Sequence, residues 1–243
     1  MIVGFVLQVA ALRAGGLAIV QPVLAFELIL VYLYLSVLGK RAIPSWDWFA
    51  VVSMAVGLGL FLYSASPSNG HVHAKASAWW WAGFGVGAAV LIAIAVAYDW
   101  GSRRQTSRLR RAAALGIATG ATWGFVAAVI RELSSHLSQG FEGVFTNWSP
   151  YVLIGVGLIA LVLESNSFSA GSLAASQPGF TITDPLVATL LGVMVFGERI
   201  RVGPLELTGE IVSFALIFIG AVILSRSPVV APATPSKPDQ TSP

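Results

Sequence analysis

The chain of 243 residues is 56% hydrophobic and only 10% charged, with a mean hydropathy of +0.80. Soluble domains carry about 25% charged residues, so these residues cannot supply the polar surface that a water-soluble globule needs. A formal charge of +3 would direct a soluble chain toward nucleic acid, but here the basic residues sit in loops with no aromatic-and-basic stripe beside them, and no nucleic-acid partner is expected. The absence of cysteine removes disulfides and thiolate metal sites.

A bilayer core about 30 Å thick takes roughly 17 to 25 apolar residues at about 1.5 Å rise each. The opening segment, Met1 to Leu12, is apolar but reaches only about 18 Å, and it lacks the basic start of a signal peptide. Seven longer apolar runs follow, over 16–38, 46–65, 78–99, 111–131, 149–169, 172–197 and 204–225. Hydrocarbon offers the backbone no hydrogen-bond partners and no alternating barrel strands are present, so each run is predicted to be a helix. The expected fold is all-α, a polytopic transmembrane bundle. After Pro228 the tail, with Pro232, Pro235 and Pro238, is too polar and proline-rich to fold.

Basic residues set the predicted orientation. Arg103, Arg104, Arg108, Arg110 and Arg111 crowd one loop, and alternating crossings put that loop on one side with Lys40, Arg41, Arg226 and Lys237. The other side holds Arg13, Lys75, Arg131, Arg199 and Arg201. The richer side is predicted to be cytoplasmic, with the C-terminus, in an inner or plasma membrane. Trp79, Trp80 and Trp81 then fall at the outer interface, where indole rings prefer to lie.

The two ends of the chain resemble one another. Val6-Leu7-Gln8 matches Val162-Leu163-Glu164, Ala14-Gly15-Gly16-Leu17 matches Ala170-Gly171-Ser172-Leu173, and Gln21-Pro22 matches Gln177-Pro178, all at an offset of 156. Gly39-Lys40-Arg41 meets Gly197-Glu198-Arg199 at 158, and Ser64 to Pro67 meets Ser225 to Pro228 at 161. An odd number of crossings separates the copies, so they are predicted to be inverted-topology repeats, an architecture that places cargo near the midplane. The expected organisation is a first repeat over 1–77, a connecting helix and basic loop over 78–110, a second repeat over 111–227 and a disordered tail over 228–243. The counterpart of helix 111–131 would fall upstream of Met1, so the first repeat is expected to lack its first helix.

The phrases Leu17-Ala18-Ile19-Val20-Gln21-Pro22, Gly171 to Pro178, Asp184-Pro185 and Phe196-Gly197-Glu198-Arg199 resemble the drug/metabolite transporter superfamily, over about residues 1–226. The likeness is to the EamA-like branch related to NIPA-type magnesium transporters. It implies a four-plus-one-plus-four helix plan, of which this chain would hold the last seven helices and part of the second. Asp184-Pro185 stands where Glu-Pro is usual, and Glu27 has no following proline, so the resemblance leaves cargo open.

Ionisable groups at bilayer depth cost roughly 2.5 to 3.5 kcal/mol, so a retained one is a candidate for function. Glu27, Asp184 and Glu164 lie inside apolar runs, the first two at nearly equivalent places in the two copies, where inward-facing carboxylates could form an acidic centre for a cation or proton. Packing alone could also hold them. Gln21 and Gln177 suit either cargo contacts or interhelical hydrogen bonds. Pro22, Pro178 and Pro185 each remove a backbone bond and mark kinks or hinges. Gly116, Gly120 and Gly124 form a small-residue stripe for close helix packing. His71 and His73 make a His-x-His in the outer loop but lack a third ligand, so a solvated polar loop is favoured over a metal site, which stays undetermined. Glu198, Glu206 and Glu210 stand near the start of the last helix, where negative charge complements its dipole.

The chain contains no P-loop and no hydrolase or zinc-protease motif, so a non-enzymatic secondary transporter without a cofactor is expected. Its expected partners are the lipid bilayer and a small metabolite or drug-like molecule moved by alternating access; a homodimer is left open. The alternatives are a magnesium or other divalent-cation transporter, or a non-transporting fragment.

Overall fold

The computed structural model describes residues 2–24, 30, 33–34, 37, 44–65, 78–102, 108–137, 140–170, 173–201 and 203–227. Glu27, His71, His73, Arg103 and Arg104 lie outside them, as do the side chains of Gln21, Pro22 and Gln177. In chain order the described helices are α1 (Ile2–Ala14), α2 (Leu17–Leu24), α3 (Ser45–Ala65), α4 (Ala78–Ser102), α5 (Arg108–His136), α6 (Gly140–Phe145), α7 (Ser149–Ala170), α8 (Leu173–Met194) and α9 (Pro204–Ser225).

Among the described residues, five segments are long and apolar enough to cross a membrane: Ser45–Ala65, Trp79–Ala97, Arg110–His136, Ser149–Ser167 and Pro204–Leu224. This is the make-up of a multi-pass membrane protein, and the five coincide with five of the seven predicted runs. The run over 172–197 is α8, whose 22 residues include Pro178 and Pro185; the helix passes through both without interruption. The run over 16–38 begins as α2, and its residues 25–29, 31–32, 35–36 and 38 are outside the described residues. The short opening segment is α1, 13 residues long, separated from α2 by Gly15 and Gly16.

Backbone proximity, purchased by glycine, holds the bundle together. Lipid is as apolar as the side chains it would replace, so helices associate through close van der Waals contact at small residues. On α5, a Cβ at Gly116 would strike the Ser176 carbonyl oxygen, one at Gly120 would stand 2.7 Å from that of Phe180, and one at Gly124 2.7 Å from that of Asp184. Three glycines four residues apart thus meet three carbonyls four residues apart, with both numberings rising together. The two helices run parallel, and the predicted packing stripe is where the second of them sits. Long arms of sequence separate them, since α7 returns between the two.

A second pair, α3 with α9, is antiparallel. Ser227 donates to Asp47, Ser53 donates to the Leu216 carbonyl at 2.9 Å, a Cβ at Gly57 would lie 2.9 Å from the Ser213 carbonyl, and the Arg201 N–H donates to the Ala65 carbonyl at 2.9 Å. As one number rises the other falls. Phe61 and Phe214 pack edge to face at 5.3 Å between centroids within this pair.

Replacing Gly120 by leucine is expected to cost at least about 1–3 kcal/mol through overpacking. Gly59, whose Cβ direction is open, should accept the same change within about 0.5 kcal/mol. Thermal unfolding of the two variants in detergent checks the difference.

Candidate functional site

The densest polar arrangement gathers where α1, α2, α5 and the end of α8 meet. Two adjacent glycines interrupt the first apolar segment, and the Gly16 carbonyl accepts the first α2 hydrogen bonds, from Ile19 at 3.1 Å and Val20 at 2.9 Å. A helix start leaves N–H groups without partners, and a side-chain oxygen normally supplies them from the capping residue itself. Gly16 has none. Glu198 supplies both from far along the chain: its Oε1 accepts from the Leu17 N–H at 2.6 Å and its Oε2 from the Ala18 N–H at 2.8 Å.

Arg131, in the last turns of α5, completes the junction. Its Nη1 donates to Glu198 Oε1 and, at 3.2 Å, to the Gly15 carbonyl. The pair is dry, with side-chain exposures of 4% for Arg131 and 0% for Glu198. The guanidinium also lies 4.7 Å from the ring centre of Phe196, a cation–π contact. Burial pushes the Glu198 carboxyl above its ordinary pKa, while the Arg131 charge and the Ala18 and Leu17 N–H groups pull it down.

Local sequence explains how Glu198 reaches this place. Gly197 takes a φ of 66°, which favours glycine, and turns the chain after α8 so that the Glu198 N–H donates to the Gly192 carbonyl at 2.9 Å. On either side of the carboxylate the wall is glycine: a Cβ at Gly16 would lie 2.8 Å from Glu198 Cδ, and one at Gly192 2.5 Å from its Oε2. The predicted role of Glu198 at the start of the last helix is therefore corrected. Glu206 occupies the first turn of α9, and Glu198 caps α2 instead.

An aromatic cluster covers this end. Trp81 packs edge to face on Phe196 at 6.0 Å, on Phe125 at 6.1 Å and on Trp148 at 4.9 Å. Trp79 is exposed, as an interfacial residue would be, whereas Trp81 turns into the protein. Beneath Trp81 and Trp148 a cavity of about 300 Å³ runs between α4, α5 and α7, past Gly85, Phe125 and Val156 to Ile92. Nearby, Asn147 Nδ2 stands 2.7 Å from His136 Nε2, and the Asn147 Oδ1 accepts from the Ser149 N–H at 3.1 Å, which caps α7.

The carboxylates predicted for the bundle interior are distributed over separate helices. Asp184 lies halfway along α8 on the side that meets the α5 glycines; its Oδ1 is buried and has no hydrogen-bond partner. Glu164, on α7, accepts from the Trp123 indole N–H at 3.1 Å, on the α5 turn that also carries Gly120 and Gly124. Glu210, in α9, likewise has a buried, unpartnered Oε1. Glu27, the proposed companion of Asp184, is outside the described residues, and of Gln21 and Gln177 only the backbones are described, in α2 and α8. Pro178 and Pro185 are both buried within α8.

No family model matches the chain. Over 118 residues it is 34% identical to an uncharacterized protein of Corynebacterium glutamicum, a match covering 48% of this chain and 41% of that protein. The matched stretch is therefore about two fifths of the relative's length. No solved structure matches.

Removing one partner of a buried ion pair leaves the other uncompensated and costs about 3–5 kcal/mol. Glu198→Ala should lose that much, and Arg131→Met with Glu198→Met less than the sum of the two single changes, measured as a double-mutant cycle of unfolding in detergent. Gly16→Ala, which drives a methyl into the carboxylate, should destabilise, while Gly4→Ala, where nothing lies within 4 Å, should be neutral or mildly stabilising. Unfolding midpoints of the two alanine variants check this second contrast.

Proposed function

We propose that the chain is a secondary transporter of the drug/metabolite superfamily, moving a small, largely apolar metabolite or drug-like molecule by alternating access without ATP hydrolysis. The observation that carries this reading is Asp184. A carboxylate oxygen buried halfway along an apolar helix with no partner is expensive at bilayer depth, and such groups are kept where something binds them. Cargo or a coupling proton is the natural partner. The cavity of about 300 Å³ under Trp81 and Trp148 has the size and apolar lining of a small-ligand site.

Helix directions support the inverted-repeat plan. The sequence-matched helices α3 and α9 run antiparallel. The matched starts of α2 and α8 lie at opposite ends of α8, because Leu17 is bonded to Glu198, just past its C-terminus, whereas Leu173 is its first residue. In this reading the Asp47 and Ser227 end faces the cytoplasm of an inner or plasma membrane, and the Glu198 end faces outward.

A thermal-shift screen of purified protein against metabolites, drug-like molecules and metal ions identifies cargo, since a ligand of the folded state raises apparent stability. With that cargo in proteoliposomes, Asp184→Asn should lower uptake at least tenfold and Glu164→Gln should lower it less, both variants remaining folded. Unchanged uptake and pH dependence in both would contradict the acidic-site reading.

A further inference from the structure

We propose that the Arg131–Glu198 junction is a latch that holds one end of the bundle closed, and that its release opens the protein to water on that side. Its place in a transport cycle, as the outward gate, rests on the transporter reading above; the latch itself rests on the geometry.

The junction has the construction of a two-state contact. It ties together three parts of the fold: the α1–α2 break through the Leu17 and Ala18 N–H groups and the Gly15 carbonyl, α5 through Arg131, and the α8–α9 connection through Glu198. Every bond converges on a single carboxylate or its arginine, so displacement of Glu198 breaks the polar contacts of all three parts at this end together. Gly16 and Gly192 leave the carboxylate no room to shift sideways by part of an ångström, which makes the contact either seated or lost.

Both chains leading into it are built to bend. One side has the Gly15–Gly16 interruption between α1 and α2, where the chain leaves the helix for two residues. The other has Gly197 at positive φ directly before Glu198. A buried charge pair exchanges its mutual attraction for hydration when water enters, so opening is less costly than removing one partner in place. Phe196 and Trp81 cover the closed pair, and the Ala18 side chain behind it is fully buried.

The cysteine-free sequence allows single-cysteine reporters without further change. Ala18→Cys reports the latch end and Ala221→Cys, equally buried in α9 toward the other end, reports general loosening. In oriented membrane vesicles, reaction of Ala18→Cys with a membrane-impermeant maleimide, applied to the side of the Glu198 end, should be at least tenfold faster when Glu198→Gln is added. The Ala221→Cys rate should not change from either side. If Glu198→Gln does not fold, Arg131→Lys, which keeps the charge but shortens its reach to Gly15, should raise the Ala18→Cys rate about threefold. No acceleration at position 18 in a folded variant overturns the latch, and so does equal acceleration at both reporters. A tenfold rise at position 18 alone supports the latch even where the parent protein moves no tested cargo, in which case the transporter reading falls by itself.

Discussion

One carboxylate, that of Glu198, does at a distance what a capping side chain normally does locally. A helix that begins inside an apolar bundle cannot leave its first N–H groups to water, and α2 begins after two glycines with nothing of their own to offer. Glu198 meets that need with two hydrogen bonds. Its charge then requires a buried cation, which Arg131 provides. The rest of that end of the protein is arranged around this pair: glycine on both sides to admit it, a left-handed turn at Gly197 to deliver it, and Phe196 with Trp81 above it.

Below the junction the organisation is one of backbones brought close. The Gly116, Gly120 and Gly124 stripe seats α8 on α5, and Gly57 with Ser53 and Ser213 brings α3 and α9 together. The stripe puts α5 on the face of α8 that carries Asp184, so the helix with the unpartnered carboxylate is held against the helix whose Trp123 binds Glu164. The placement of Asp184 against α5 is thus a consequence of where glycine allows two helices to touch.

The helices were legible in the sequence because bilayer thickness fixes a minimum apolar length, which runs such as Ser45–Ala65 and Pro204–Leu224 meet. The glycine stripe was legible for the same kind of reason: spacing of four on a helix defines a face. The Arg131–Glu198 pair was not. Its members are 67 residues apart, one at the end of an apolar run where it reads as a topology signal, the other beside a helix start where it reads as a dipole partner. The signal that could have joined them is the alternation of crossings, which puts the end of α5 and the α8–α9 connection on one side, together with Gly15-Gly16, a break in need of a cap. Nor does sequence tell which of several acids in apolar runs already has a partner; Glu164 accepts from Trp123, whereas Asp184 Oδ1 has no partner.

Transport by alternating access and a latch at one end both require the Glu198 end and the Ser227 end to lie on opposite faces of a membrane. Arg199 and Arg226 are both exposed, one at each end, so single cysteines there in sealed, oriented vesicles give the most direct measurement. The expected result is that an impermeant maleimide added outside modifies position 199 at once and position 226 only after the vesicles are permeabilised. Modification of both from the same side, before permeabilisation, would contradict the account.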